Sequence, residues 1–390
     1  MTEICPKEQC TGCSACYAAC HSNAIEMRVD EFGFVYPQIN KDKCINCGIC
    51  QKSCPNNQAP SRELPSDCYV CHAIDMQEQL TSTSGGVASA ISRYVIHLGG
   101  VVYGCSSQPN VLIRHIRVDN ENDLHLLKGS KYVQSTIGNI YRDVKKDLQS
   151  GRLVLFIGTP CQIAGIRSFL RKNYENLITI DFVCHGVPSV KYLDDSIKCA
   201  DKVHSCVSFR KKQFNDKKDK YDSIYGVYLV SPEKGLVYQK SYPKGLYILG
   251  FIHALFYRDS CYSCNYSQPK RVSDFTVGDY HDTERAYSHL SGHDRILSML
   301  TLNTPKAKEL FTQLSKVFEF SSCSLEVILA KHEQMNKPMP RHRNYYLFRD
   351  IFLKKGFAKA AKTALSKERY NNIKRLIKNT LLSCLRRKSV

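Results

Sequence analysis

Eight of the cysteines in the first 54 residues form two copies of one pattern, C-x2-C-x2-C-x3-C, in "CTGCSACYAAC" from Cys10 and "CINCGICQKSC" from Cys44. Few features restrict a fold so tightly. Three thiols at i, i+3 and i+6 can wrap a short loop round one inorganic core. A fourth, three residues further on, lies beyond that loop's reach, and in two-cluster iron–sulfur arrangements it ligates the other half's cluster. The spacing therefore predicts one [4Fe–4S] cluster on Cys10, Cys13, Cys16 and Cys54, and a second on Cys44, Cys47, Cys50 and Cys20. Zinc would need only two C-x2-C pairs and would leave the other cysteines unexplained. A disulfide framework belongs to short secreted chains, and this chain has 390 residues.

The two halves differ in one respect. Pro55 follows Cys54, whereas His21 follows Cys20; proline there fixes a turn and is not a ligand. Between the halves, "EFGFVYPQIN" alternates apolar residues around Gly33 and reads as a short hairpin. Residues 1–60 thus resemble a dicluster ferredoxin, whose clusters carry single electrons.

The remainder has the length for a buried core and one or two further domains. No apolar run approaches the ~18 residues that span a membrane, and "MTEICPKEQC" has no secretory h-region. Twenty cysteines in such a chain read as metal ligands or redox thiols in a reducing cytoplasm. The net charge of +19 is uneven: residues 349–390 hold 13 Lys and Arg against 2 Asp and Glu, a net of +11. No nucleic-acid motif accompanies these charges, so a nucleic-acid partner is not expected.

"APSRELPSD" (59–67) reads as a linker. Beyond it, "GGVVYGC", "VLIRHIRV", "RLVLFIG", "LITIDFVCHG" and "RVSDFTVGDY" have strand character. "NIYRDVKKDLQSG" and "CQIAGIRSFLRKN" have helical spacing, and "YGVYLV" with "GLVYQKSY" reads as a hairpin. Alternating strands and helices predict an α/β domain with a partly parallel sheet over 61–348. Two small-residue stretches precede or join such elements: "STSGGVAS", with Ser84, Gly85 and Gly86, and "LKGSKYVQS", with Lys128, Ser130, Lys131, Tyr132 and Gln134. Each could cradle a phosphate; a capped helix start or a plain loop is the simpler account.

Four further cysteines are placed suggestively. Cys161 sits where a strand turns into a helix, whose N-terminus favours a thiolate. Cys184 ends the next strand, and strand C-terminal ends form the ligand crevice of open α/β sheets. Cys261 and Cys264 make a compact pair in "CYSCNY". Together they could hold another cluster, or be buried apolar cysteines beside an incidental pair. Cys68 and Cys71, three apart in an extended segment, would face opposite sides and read as structural. Cys5, Cys105, Cys199, Cys206, Cys323 and Cys384 have no partner by spacing. His185, beside Cys184, could donate a proton or merely orient its loop.

Taken in order, "STSGGV", "GGVVYG", "LKGSKYVQS", "GTPCQIAGIRSFL", "DFVCHGVPS" and "CYSCNY" with "RVSDFTVGDY" closely resemble the coenzyme F(420) hydrogenase/dehydrogenase beta-subunit family, in its bacterial form with a fused dicluster ferredoxin, over roughly residues 1–350. The family includes ferredoxin-dependent reductases of chlorophyll precursors. The resemblance implies FAD in the α/β domain and a third [4Fe–4S] cluster on Cys161, Cys184, Cys261 and Cys264. It also makes the two small-residue loops the leading flavin-site candidates. One departure concerns "GD", after which the family commonly carries an aromatic and then Trp or a similar large residue. Here Tyr280 and His281 follow, in a chain without tryptophan.

A flavin exchanges one or two electrons and so belongs between clusters and an organic substrate. The expected activity is that of a ferredoxin-linked, FAD-dependent reductase or dehydrogenase acting on a small molecule, with a ferredoxin or other redox protein as partner. The alternatives are an electron-transfer subunit docking to a larger partner, or a thiol redox protein using Cys161. In the tail, Arg369, Ile373, Ile377 and Leu381 recur every four residues, with Leu365, Leu376 and Leu382 widening the apolar stripe beside Lys374, Arg375 and Lys378. A basic amphipathic helix over 349–390 is expected, packed on the body, touching an anionic membrane, or docking an acidic redox partner.

Overall fold

The computed structural model describes residues 3–215, 220–281, 286–290 and 297–375. Thirteen strands occur among them: β1 (Ile25–Val29), β2 (Val35–Ile39), β3 (Asp67–Ala73), β4 (Val101–Gln108), β5 (Leu112–Val118), β6 (Val154–Ile157), β7 (Leu177–Phe182), β8 (Cys206–Asn215), β9 (Lys220–Ser231), β10 (Gly235–Ser241), β11 (Phe275–Tyr280), β12 (Leu297–Leu302) and β13 (Phe318–Cys323). β1 and β2 form the expected hairpin of the N-terminal module. Eight strands make one mixed sheet in the order β13-β3-β12-β11-β7-β6-β4-β5.

Its centre is parallel: β4 pairs with β6, β6 with β7 and β7 with β11. These are the apolar runs read from the sequence. Val154, Leu155 and Phe156 are fully buried, as expected of parallel strands covered on both faces. The flanking pairs are antiparallel. The local sequence pattern does not mark β12 and β13 as sheet members, and β8 joins β9 and β10 in a separate three-stranded antiparallel sheet.

After β6 the chain enters the helix Pro160–Leu170 through a capping box. Gln162 accepts from the Thr159 backbone N–H at 3.0 Å, and Pro160 fills a position that needs no donor. The helix Ile140–Gln149 ends before Gly151, whose φ of 83° reverses the chain.

The expected linker is tied down. Glu63 exchanges two backbone hydrogen bonds with Arg271, at 2.9 and 2.7 Å. Arg62 donates to the Asn265 carbonyl at 2.9 Å and lies over the Tyr266 ring.

The body also does not stop at residue 348. The helix Tyr345–Ala364 crosses that boundary, broken at Gly356. Phe348, Phe352, Phe357, Ala360, Ala361, Ala364 and Leu365 are buried in the same core as Phe32 and Phe34 of the N-terminal hairpin. Of the expected tail stripe, Arg369 and Ile373 lie on a helical continuation to residue 375, with Ile373 exposed, whereas Leu376, Ile377, Lys378, Leu381 and Leu382 lie outside the described residues. Among the described residues no helix is long and apolar enough to cross a membrane.

Candidate cofactor site

The two cysteine repeats curl in the same way. Gly12 and Ser14 in the first half, and Asn46 and Gly48 in the second, all have positive φ, between 53° and 73°. These residues alternate with the cysteines, and the left-handed steps turn successive thiols towards one centre. One cavity is lined by Cys10, Cys13, Cys16 and Cys54, together with Cys5. The other is lined by Cys20, Cys44, Cys47 and Cys50. Among the described residues no three Cys, His, Asp or Glu side chains close on a point for one metal ion. Thiols ringing a cavity fit a four-iron cube, in which each sulfur binds its own iron, better than a single zinc.

Cys161, Cys184, Cys261 and Cys264 also gather. Cys161 begins the helix after β6, Cys184 lies just past β7, Cys261 lies in the turn Asp259–Ser263 and Cys264 directly follows that turn. Two backbone contacts clamp that turn to the segment after Cys184: a bridge between Pro188 and Tyr257, and the Arg258 N–H to the Val187 carbonyl at 3.0 Å. Each of these cysteines lies within electrostatic reach of others in the set. Burial pushes Cys161 and Cys261 up to about 12 and raises Cys184 as well. Desolvation therefore outweighs any help from the helix N-terminus at Cys161, which holds no free thiolate. Only a positive centre would draw the proton off such thiols. Cys68 and Cys71, by contrast, point into different cores on opposite faces of β3.

The first cavity and the third cysteine set adjoin. A Cβ added to Gly165, one turn after Cys161, would come within 3.0 Å of the Cys13 Cβ and 3.1 Å of its Sγ. Arg258 lies between the two sets, fully buried. Its guanidinium donates to the Cys10 carbonyl at 2.8 Å and to the Val35 carbonyl, and packs over Tyr36. Nothing in "FYRDSC" distinguishes this arginine in the sequence.

The two small-residue loops meet: Thr83 Oγ1 and Ser130 Oγ are 3.3 Å apart. Lys128 binds Thr81 Oγ1 at 2.6 Å and Glu78 at 2.8 Å. Several polar groups expected to meet phosphate are already engaged. The Gly85 N–H donates to Ser298 Oγ at 2.8 Å, Ser84 Oγ to the Leu297 carbonyl at 2.9 Å, and Lys131 Nζ to the Leu127 and Lys128 carbonyls at 2.9 and 2.7 Å. Gly86 opens the helix Val87–His97 with a φ of 83°. Ser82 Oγ is buried without a partner.

From Ser130 the chain runs towards the cysteines. Tyr132 stacks on Phe251 at 4.5 Å, and the Gln134 amide donates to the Thr11 carbonyl at 3.3 Å. β8 crosses above, with Arg210 and Lys212 two residues apart and so on one face. Lys212 Nζ reaches the Gln79 and Ser84 carbonyls. Arg210 pairs with Asp279 at 2.7 Å, packs over Tyr225 at 4.5 Å, and leaves its buried Nε without an acceptor. Burial lowers His185 and takes His332 down to about 4, and both lie within electrostatic reach of Asp279. Sequence reasoning misses Arg210, Lys212, Asp279 and His332 as site residues. The basic run "FRKKQF" looks like a solvated stretch until it is known to be a strand, when every second residue turns inward.

Residues 151–324 match the family model for the C terminus of the coenzyme F420 hydrogenase/dehydrogenase beta subunit, and residues 9–58 match the 4Fe-4S dicluster domain. The chain carries the C-terminal domain of that beta-subunit family behind a dicluster iron–sulfur domain. It is therefore an iron–sulfur redox protein related to the F420 hydrogenase beta subunit. The matched beta-subunit region contains Cys161, Cys184, Cys261 and Cys264 as well as β8 and β11. Among solved structures, the F420-reducing [NiFe] hydrogenase complex from Methanosarcina barkeri is similar at 15% identity, covering 77% of this chain and 91% of that chain, with a TM-score of 0.39. No curated protein matches the chain.

Proposed function

We propose that this beta-subunit relative is an FAD-dependent reductase or dehydrogenase linking a ferredoxin-type donor to a small two-electron substrate in the cytoplasm. Cys10, Cys13, Cys16 and Cys54 would hold one [4Fe–4S] cluster, Cys20, Cys44, Cys47 and Cys50 a second, and Cys161, Cys184, Cys261 and Cys264 a third. Bound there, the clusters would supply single-electron transfer and the flavin an exchange of one or two electrons. The observation that carries the reading is the contiguity of the three parts: Cys13 lies against the Cys161 helix, and Cys184 is followed by His185 at the Arg210–Asp279 end of the sheet.

The chain's own groups have definable tasks. Arg258 fixes the Cys10 loop against the third cysteine set. Tyr132 and Phe251 present stacked rings, and Ser82 Oγ and Arg210 Nε offer unpartnered polar atoms, near the loops that would hold the flavin. His185 and His332 stay neutral near neutral pH and leave Asp279 paired to Arg210. Cys47 is exposed, which puts the second cysteine set on the side open to a donor.

The test is full-length protein purified without oxygen. It should release FAD on denaturation and hold about 12 iron atoms per chain. Iron-replete protein that neither contains FAD nor binds it when added would overturn the flavoprotein reading.

A further inference from the structure

The first cavity has a fifth thiol on its wall, Cys5, which the repeat leaves over. It is held in place from both sides. Asn56 and Asn57 follow Cys54 and Pro55 directly. Asn57 Nδ2 donates to the Ile4 carbonyl at 2.9 Å and Asn56 Nδ2 to the Gln9 carbonyl at 2.7 Å, the latter nitrogen also lying 4.0 Å from Cys5 Sγ. Ile4 is buried in a cluster with Cys16, Ile25, Cys50 and Cys54. Gln51 holds the Glu3 carbonyl at 3.1 Å. A short turn, Lys7–Gln9, then leads to Cys10. Held so, the Cys5 thiol shares the wall of the cavity with Cys10 and Cys54. A four-iron cluster takes four thiolates, and five sulfurs share this wall.

We infer that Cys5 is a reserve ligand of the first cluster, able to take the place of Cys54 on its iron. The inference rests on the ligand set proposed above. With the cluster bound, the exchange would balance without an outside reagent: Cys5 would replace Cys54 as the thiolate on that iron, and the Cys5 proton would end on the Cys54 sulfur. No electron moves and the net charge is unchanged. The second cavity offers an internal control, because Cys20, Cys44, Cys47 and Cys50 are the only cysteines on its wall among the described residues.

The experiment uses the full chain, reconstituted without oxygen. Iron content is measured, with electron paramagnetic resonance of the oxidised and reduced protein. Cys54→Ala should keep the parent's iron content and show no three-iron signal when oxidised. Cys5→Ala alone should behave likewise. The double variant Cys5→Ala with Cys54→Ala should lose about 4 iron atoms or convert to a three-iron cluster. Cys20→Ala, with no reserve beside it, should do the same at the second site.

Iron loss or a three-iron signal in Cys54→Ala, while Cys20→Ala also loses its cluster, overturns the reserve role and leaves the ligand sets standing. Iron loss in Cys5→Ala alone overturns it too, because Cys5 would then be a resident ligand. An unchanged Cys20→Ala protein would instead strike at the ligand sets themselves.

Discussion

Cys10, Cys13 and Cys16 are brought together by seven consecutive residues and two left-handed steps, at Gly12 and Ser14. Cys161, Cys184, Cys261 and Cys264 are brought together by the ends of two parallel strands and a turn clamped to them from far along the chain. The first arrangement is a property of a loop and the second a property of a sheet. A loop motif survives as a pattern in the sequence. A site assembled by a sheet depends on every element that aligns the strands, so its integrity reports on the whole body.

The largest expected effect tests whether the third set is a site at all. Cys161→Ala or Cys264→Ala should each cost about 4 of about 12 iron atoms. Cys71→Ala should cost none, because Cys71 is packed inside the body. Iron assay and electron paramagnetic resonance read the outcome, and equal losses from all three would erase the distinction. Next comes the joint between loop and sheet. Arg258→Met strips a fully buried cation from two backbone carbonyls and should destabilise the protein by about 1–3 kcal/mol for each carbonyl left unpaired. The half-buried Arg142, which donates to the Tyr17, Ala18 and Cys20 carbonyls, should matter less: about 1–3 kcal/mol for Arg142→Met. Unfolding midpoints measured side by side would rank the two arginines.

Gly165→Val should cost about 1–3 kcal/mol by overpacking. It should also push the Cys13 loop away, which limited proteolysis of the 59–66 segment would detect as faster cleavage. The smallest effect belongs to the sheet region and depends on pH. Burial takes His115 down to about 4, with its ring between the Ile157 carbonyl and Ser135 Oγ. The unfolded chain takes up that proton near its ordinary value of about 6.5, so the folded state binds fewer protons between the two values. The stability involved is present above about pH 6.5 and is lost as pH falls towards 4, by about 2 kcal/mol at pH 5. His115→Phe should flatten that part of the stability–pH curve relative to the parent, and an unchanged slope would show that His115 is not its source.

What the residues alone reveal follows the same division. The eight repeat cysteines are legible because their geometry is encoded within a few residues. The parallel strands are legible as short apolar runs, and the Thr159 cap as a strand-to-helix turn. β12, "LSMLTL", is as buried as β6 but pairs with β3, more than two hundred residues earlier, and no local pattern carries that pairing. β8 is hidden by its charges, which turn inward only because Asp279, Tyr225 and the Ser84 loop receive them. Arg258 is invisible for a related reason: its acceptors are the backbone of residues 10 and 35, and a backbone carbonyl leaves no trace in residue identity. The expected boundary after residue 348 reflects the change in charge, whereas the aromatic residues Phe348, Phe352 and Phe357 decide where the body ends.

Those same aromatics close a circle between the two ends of the chain, since Phe32 and Phe34 share their core. A growing chain emerges from the ribosome N-terminus first. The repeat cysteines are therefore in solution, free to meet iron and sulfide, long before the helix that seals their hairpin has been made. Metal loading of the first module can precede its docking, but the docking waits until Phe348, Phe352 and Phe357 have been made. A chain cut short before Phe348 would leave an apolar face of an already metallated module open to its neighbours, which makes truncated products a hazard for aggregation rather than harmless small ferredoxins.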